Sequence, residues 1–179
     1  MIIRPETPAE YDNIRRINDE AFGEEVEAKI VEAIRASNRF VPELSLVALS
    51  DGQPVGHVIS SYVDLVVPDT EHVPVPDTGR VLQVGPLAVV PSHQRRGIGT
   101  ALMHETIRIA DKRGEPLLLI EGNPAYYERF GFARADAHGI EPPPEALAPK
   151  YFMFRPLRAY ERSLQGRALY PPETFGIAY

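Results

Sequence analysis

Gln94-Arg95-Arg96-Gly97-Ile98-Gly99-Thr100 is the segment of this chain whose residue types best suit anion binding. It stands between an apolar run, Arg80 to Val90, and an amphipathic stretch, Ile98 to Lys112, so its main-chain N–H groups fall at the start of a helix. Those N–H groups lack intrahelical acceptors and carry the positive end of the helix dipole. Gly97 and Gly99 let the backbone approach a phosphate closely, and Arg95 and Arg96 add charge suited to a diphosphate or a ribose phosphate. The same residues also suit an ordinary strand-to-helix turn with arginines on its surface. A P-loop is excluded, because no Gly-Lys-Ser/Thr stands at the required spacing. The dinucleotide fingerprint comes closer, since Gly97-Ile98-Gly99 opens a helix and Glu121 ends the next strand where a ribose-binding acid would sit. It fails because Leu102 occupies the third small-residue position, and because residues 91–96 intervene where that fold turns almost at once.

Other chemistries are narrowed by what the chain lacks. It has no cysteine, which removes disulfides, thiolate-bound zinc and a cysteinyl thioester. Its 5 histidines are too scattered to suggest a metal site. His57 falls on an expected strand and reads as half-buried, His93 flanks the anion-binding loop, and His72 lies in a loop that could cover a substrate. No Gly-x-Ser-x-Gly elbow offers a serine nucleophile. The 19 basic and 25 acidic residues give a net charge of -6, which provides no field for a nucleic-acid backbone and weakly suits a cationic amine. No stretch approaches the roughly 18 apolar residues needed to span a bilayer, and the expected setting is a soluble, cytoplasmic one.

The elements that would position the loop can be read from periodicity. Ile2-Ile3-Arg4 suits a short opening strand, and Thr7-Pro8-Ala9-Glu10 has the form of a capping box that starts a helix with Ile14, Ile17, Ala21 and Phe22 on one side. Gly23 suits its stop, and a second helix is expected over 25–36 with Val26, Ile30, Val31 and Ile34 buried. Leu44 to Leu49 and Val55 to Val67 read as a β-hairpin closed by Ser50-Asp51-Gly52-Gln53-Pro54. Residues 68–79 form a Pro- and Asp-rich loop beside which Val-Pro-Asp-Thr occurs twice, too short a repeat for a solenoid. Gly85-Pro86 interrupts the central strand at 80–90 and predicts a bulge and a locally opened sheet. The helix over 98–112 has Ile98, Ala101, Leu102 and Ile109 on one side. It leads to a buried strand at 117–120, and strand–helix–strand implies a parallel pair. A short helix from Asn123 to Arg129 ending at Gly131, a Pro-rich loop at 141–149 and a strand over 151–154 complete the reading, with the last 25 or so residues the least legible.

At this point the residues resemble a known family. Gln94, Gly97 and Gly99, after a strand ending Leu87-Ala88-Val89-Val90-Pro91, match the Gln/Arg-x-x-Gly-x-Gly/Ala pattern of the GNAT superfamily. Asn123-Pro124-Ala125-Tyr126-Tyr127-Glu128-Arg129-Phe130-Gly131-Phe132 looks like its second block, at the expected separation. Ala28-Lys29-Ile30-Val31 and Tyr170-Pro171-Pro172 look like the YhbS-like branch, in which an aspartate often stands where Asn123 is here.

The resemblance implies an α/β acyl-CoA acyltransferase fold in one domain over 1–179. Its central mixed sheet would have about six or seven strands, splayed between those near 81–90 and 117–121 and flanked by about four helices. It implies that coenzyme A lies in that opening. Its pantetheine would pair with Leu87, Ala88 and Val89, its pyrophosphate would rest on Gln94, Arg95, Arg96, Gly97, Ile98, Gly99 and Thr100, and Asn123 would hydrogen-bond the arm. The implied reaction is amine attack on the thioester of acetyl-CoA, with no metal and no covalent enzyme intermediate. Tyr127 matches the tyrosine that stands near the thioester sulfur in many relatives and is the expected general acid, the Leu87 amide is the expected oxyanion donor, and Glu121 is the first candidate base. Tyr126 is expected to be a core tyrosine. The alternative is a noncatalytic acyl-CoA-binding module. The amine is left open, its pocket being expected from 68–79 and 141–149, and the chain is expected to be a monomer or homodimer.

Overall fold

The computed structural model describes residues 1–67 and 79–175, and the repeat-bearing loop with His72 lies outside them. Strand β1 (Ile2–Pro5) leads through a 3-10 turn at Pro8–Glu10 into α1 (Tyr11–Phe22), and α2 (Val26–Ala36) follows. The Glu10 carboxylate reaches back to accept the Thr7 amide at 2.8 Å, as the capping box requires, while the first turn tightens to 3-10 before the α-helix begins. Gly23, at φ 80, ends α1 in the left-handed conformation.

The hairpin is β2 (Phe40–Ser50) and β3 (Gln53–Val66), joined at Asp51-Gly52 with φ of 50 and 78. Positive φ at both central residues matches the twist of the flanking strands. Strand β4 (Arg80–Val89), α3 (Ile98–Arg113), β5 (Leu117–Glu121) and α4 (Pro124–Tyr127) follow. Next come β6 (Ala133–Arg134), β7 (Ile140–Glu141), β8 (Phe152–Pro156) and β9 (Gly166–Leu169). The main path of the 9-stranded sheet runs β1-β2-β3-β4-β5-β8-β6, with β7 and β9 off it. The architecture is the expected mixed sheet. The off-path strands come from the tail whose polar, Pro-rich sequence carries little periodicity. Strand β9 pairs Asp64–Val66 on the edge of β3 that β2 has left, since Asp64 faces Arg80 of β4 on its other edge.

Apolar side chains fill two clusters. In β5, Leu117 and Leu119 join the cluster holding Ile14, Ile30, Val31 and Ile34, whereas Leu118 and Ile120 join the one holding Ile98, Leu102 and Met103. A strand covered on both faces reads as a continuous apolar run, as this one does. On α3 the deeply buried positions include Met103, Thr106 and Ala110, while Ala101 and Ile109 are only half-buried. Phe22 and Val26 are exposed, against the expectation that they belong to the core. They end and begin their helices beside the cleft described next.

Beneath the hairpin lies a buried polar network. Glu6 accepts both Arg35 Nε and Nη2 at 2.7 Å, and its Oε2 lies 3.1 Å from His57 Nε2, which is 3.2 Å from Ser45 Oγ. His57 is fully buried rather than half-buried. Burial pushes its pKa below the ordinary histidine value, so the ring is neutral with Nε2–H facing Glu6. Burial by itself would raise the Glu6 carboxyl, but the His57 and Arg35 hydrogen bonds outweigh it and hold it at about 2.

Candidate active site

Strands β4 and β5 are parallel but pair only at Leu82–Leu118, Gln83–Leu119 and Val84–Ile120. Beyond Val84, β4 passes through Gly85, at φ 136, and the Gly85–Pro86 cis peptide, where its register with β3 also shifts. Proline offers no N–H to a ladder, and the two strands part. A cleft of about 1050 Å³ occupies the opening, lined by both strand ends, the start of α3 and α4.

Ladder geometry decides which groups face the gap. Val90 donates to Val55 O at 3.0 Å, so Val90 and, by alternation, Ala88 exchange hydrogen bonds with β3. Leu87 and Val89 then turn their N–H and C=O groups away from β3, toward the cleft, which both residues line. Ala88 is 1 % exposed, packs in the core and does not line the cleft, so of the expected trio only Leu87 and Val89 offer backbone to a ligand.

The loop before α3 is shaped for close approach. Gln94 is exposed, and its Nε2 donates to Val89 O at 3.0 Å, tying the loop to the strand end. Gly97 caps the helix at φ 84, a conformation that favours glycine. A Cβ on Gly99 would meet Tyr126 Oη at 2.7 Å, so the residue must lack a side chain for that tyrosine to lie across the helix start. Gln94, Arg95, Gly97, Ile98, Gly99 and Thr100 all line the cleft, with Ile98 also buried in the core, whereas Arg96 is exposed outside it.

Tyr126 packs against the core, as expected, but also faces the cleft. It is half-buried and lines the cleft, with Arg129 Cζ 4.0 Å above its ring. Tyr127 lines the cleft too, its ring 4.9 Å from that of Tyr126 and 5.9 Å from that of Phe132. Only glycine fits at position 122, since a Cβ there would collide with the Tyr127 ring. Burial pushes the Tyr127 hydroxyl well above the ordinary phenol value; Tyr126 adds to the rise and Arg129 offsets part of it.

Asn123 accepts the Ala125 N–H at 3.0 Å through Oδ1, so it is the N-cap of α4 and holds the turn that presents both tyrosines. Asn123→Ala should therefore destabilise the protein by about 1 kcal/mol, read as a lower midpoint in urea unfolding. Glu121, at the end of β5, accepts Leu147 N–H at 2.7 Å on Oε1 and Tyr170 O–H at 3.0 Å on Oε2. His93 lines the cleft with Nδ1 2.9 Å from Ser92 Oγ.

The cleft also gathers Leu147, from the 141–149 loop expected to shape the acceptor pocket, and residues that the sequence did not single out for it: Phe22, Val26, Glu27, Tyr170 and Phe175. For Phe22 and Val26 the helical spacing pointed to the core, and the sequence held no signal for the cleft. Tyr170 and Phe175 had none either, because they follow β9, far along the chain.

Comparison with known proteins fits this geometry. Residues 2–135 match the family described as "Acetyltransferase (GNAT) domain". The chain is 31 % identical over 141 residues to the uncharacterized N-acetyltransferase YhbS of Escherichia coli K12, covering 78 % of each chain. Among solved structures, that of YhbS from Escherichia coli in complex with CoA superposes with a TM-score of 0.81 at 27 % identity, covering 96 % of this chain and 90 % of that one. A GNAT acetyltransferase of Brucella melitensis in complex with acetyl-CoA gives 0.73 at 28 % identity, covering 96 % of both. This chain belongs to the GNAT family of acetyltransferases.

Proposed function

We propose that this protein, acting as one domain in the cytoplasm, transfers the acetyl group of acetyl-CoA directly to a primary amine. The observation that carries this reading is the junction of the parted seam with the start of α3. Leu87 and the Val89 N–H turn backbone away from β3 along one wall, where Gln94 Nε2 already holds the Val89 carbonyl, and helix N–H groups wait at its end. The relatives bound to CoA and acetyl-CoA support it. The pantetheine arm runs along Leu87 and Val89 within reach of Asn123. The diphosphate takes the amides from Gly97 to Thr100, with Arg95 beside it and Arg96 meeting any phosphate that projects into solvent.

The neutral amine nitrogen bonds to the acetyl carbon, the carbon–sulfur bond breaks, and the thiolate is protonated. The Leu87 N–H stabilises the oxyanion that forms on the acetyl oxygen. The Tyr127 hydroxyl, kept protonated by its burial, supplies the hydrogen to sulfur. The proton shed by the amine leaves toward Glu121, through water or by displacing one of the donors that carboxylate now holds.

The test is an amine panel with acetyl-CoA, reading released coenzyme A with a thiol reagent. The chain itself contributes no signal, having no cysteine. Amine-dependent thiol release is expected. Tight coenzyme A binding with no release across the panel would make the protein an acyl-CoA-binding module instead.

A further inference from the structure

One carboxylate in the cleft is used neither by the fold nor by the chemistry above. Glu27 stands in the first turn of α2 and lines the cleft beside Val26 and Ile30. Its Oε2 is buried, yet among the described residues it has no hydrogen-bond partner. Burial pushes its carboxyl above the usual range, the neighbouring charge of Glu24 adds to the rise, and its own backbone N–H offsets part of it. Among the described residues Asp19 Oδ1 is likewise buried without a hydrogen bond, but Asp19 lies outside the cleft and its other oxygen is 3.9 Å from Arg15, whereas Glu6 is matched by Arg35, Glu10 by Arg4 and Glu115 by Tyr62. An acceptor oxygen removed from water without a donor is a standing cost that an incoming donor relieves.

Charge and polarity within the cleft indicate what that donor is. The basic side chains gather around the start of α3, where Arg129 stacks on Tyr126 and the Tyr126 hydroxyl meets Gly99. The carboxylates lie with apolar groups: Glu121 bonds Tyr170, Tyr170 packs 5.2 Å from Phe175, and both rings share a core cluster with Ile30, one turn along α2 from Glu27. The exposed Phe22 and Leu147 line the cleft as well. Such a pocket suits a cation carried on an apolar body and opposes a second, negative group.

We propose that Glu27 receives the ammonium group of the acceptor, and that the acceptor is an amine on an apolar, carboxylate-free skeleton of the arylalkylamine kind. This rests on the acetyl-transfer reading and assigns Glu27 to recognition, while the proton released before attack still leaves toward Glu121.

The test titrates 2-phenylethylamine and phenylalanine into the full chain loaded with coenzyme A, for the unmodified protein and for Glu27→Gln, by calorimetry. Glu27→Gln should weaken 2-phenylethylamine binding about 10- to 100-fold, with coenzyme A affinity unchanged. Phenylalanine should bind the unmodified protein at least about tenfold more weakly than 2-phenylethylamine, whatever the variant does. Equal binding by protein and variant, phenylalanine binding as well as the amine, or no saturable amine binding would each overturn the proposal. Thiol release separates the two readings. Glu27-dependent binding without release leaves Glu27 in place and removes acetyl transfer; release with an unchanged amine KM in Glu27→Gln does the reverse.

Discussion

Tyr127→Phe should lower kcat by about 100- to 10,000-fold, the range for loss of a positioned proton donor, and leave coenzyme A affinity unchanged. The substitution removes one oxygen and keeps the ring, so the contacts with Tyr126, Phe130 and Phe132 persist and the cleft wall stays in place. Burial raises the hydroxyl's pKa, with two consequences. The group stays protonated throughout the working range, so deprotonation of Tyr127 cannot be the source of an alkaline fall in rate below pH 10. Full transfer to a thiolate whose acid has a pKa near 8.5 is uphill in water, but the sulfur leaves inside the same dry cleft, where its own proton affinity also rises. The hydroxyl therefore acts as the carbon–sulfur bond breaks and charge grows on sulfur. Steady-state kinetics beside coenzyme A titrations measure the effect, and a kcat within about threefold of the unmodified protein would remove Tyr127 from the chemistry.

Arg35→Leu should destabilise the fold by about 3–5 kcal/mol at pH 7, because it leaves the Glu6 carboxylate buried and charged without its guanidinium partner. The side chains of Glu6 and Arg35 are 3 % and 9 % exposed, so water replaces little of what is lost. The arginine also stacks 3.9 Å above the Tyr11 ring. For a chain of this size the loss corresponds to a fall in Tm of about 6–20 °C. Adding Glu6→Gln should restore most of it, since an amide keeps an acceptor for His57 and removes the charge.

Acid should act on the same network in two stages. His57 is neutral in the fold, so its contribution is complete above pH 6.5 and declines as pH falls below that value. The Glu6 contribution is complete above its ordinary 4.5 and is lost as pH falls toward about 2. In Arg35→Leu the carboxyl protonates more readily, so the gap between variant and parent should narrow below pH 4.5, as thermal unfolding at pH 7 and pH 4 would show.

Much of the frame and the shape of the loop before α3 were legible in the sequence, and the reasons are local. Gly97 and Gly99 announce the helix start because backbone conformation and close approach there admit no side chain. Gly85-Pro86 announces the parting of the strands, and Leu117 to Ile120 a strand buried on both faces. The direction in which each backbone group points was not legible. Whether Ala88 or its neighbours face the opening depends on the ladder with β3, which composition does not encode. Nor was the grouping of Glu27, Tyr170 and Phe175, since no periodicity marks a contact between the first turn of α2 and a polar tail.

Where the family match stops at residue 135, the cleft does not: Leu147, Tyr170 and Phe175 come from beyond it, and Glu121 clasps two segments of that tail through Leu147 and Tyr170. In the reading proposed above, the residues that hold the acyl donor lie within the family match, while several that line the rest of the cleft lie beyond it. Under that reading, exchange of the closing segment would change which acceptors fit and would also reach the transfer step, because the one side chain at the end of β5 that ties the tail down is the same one that takes the proton.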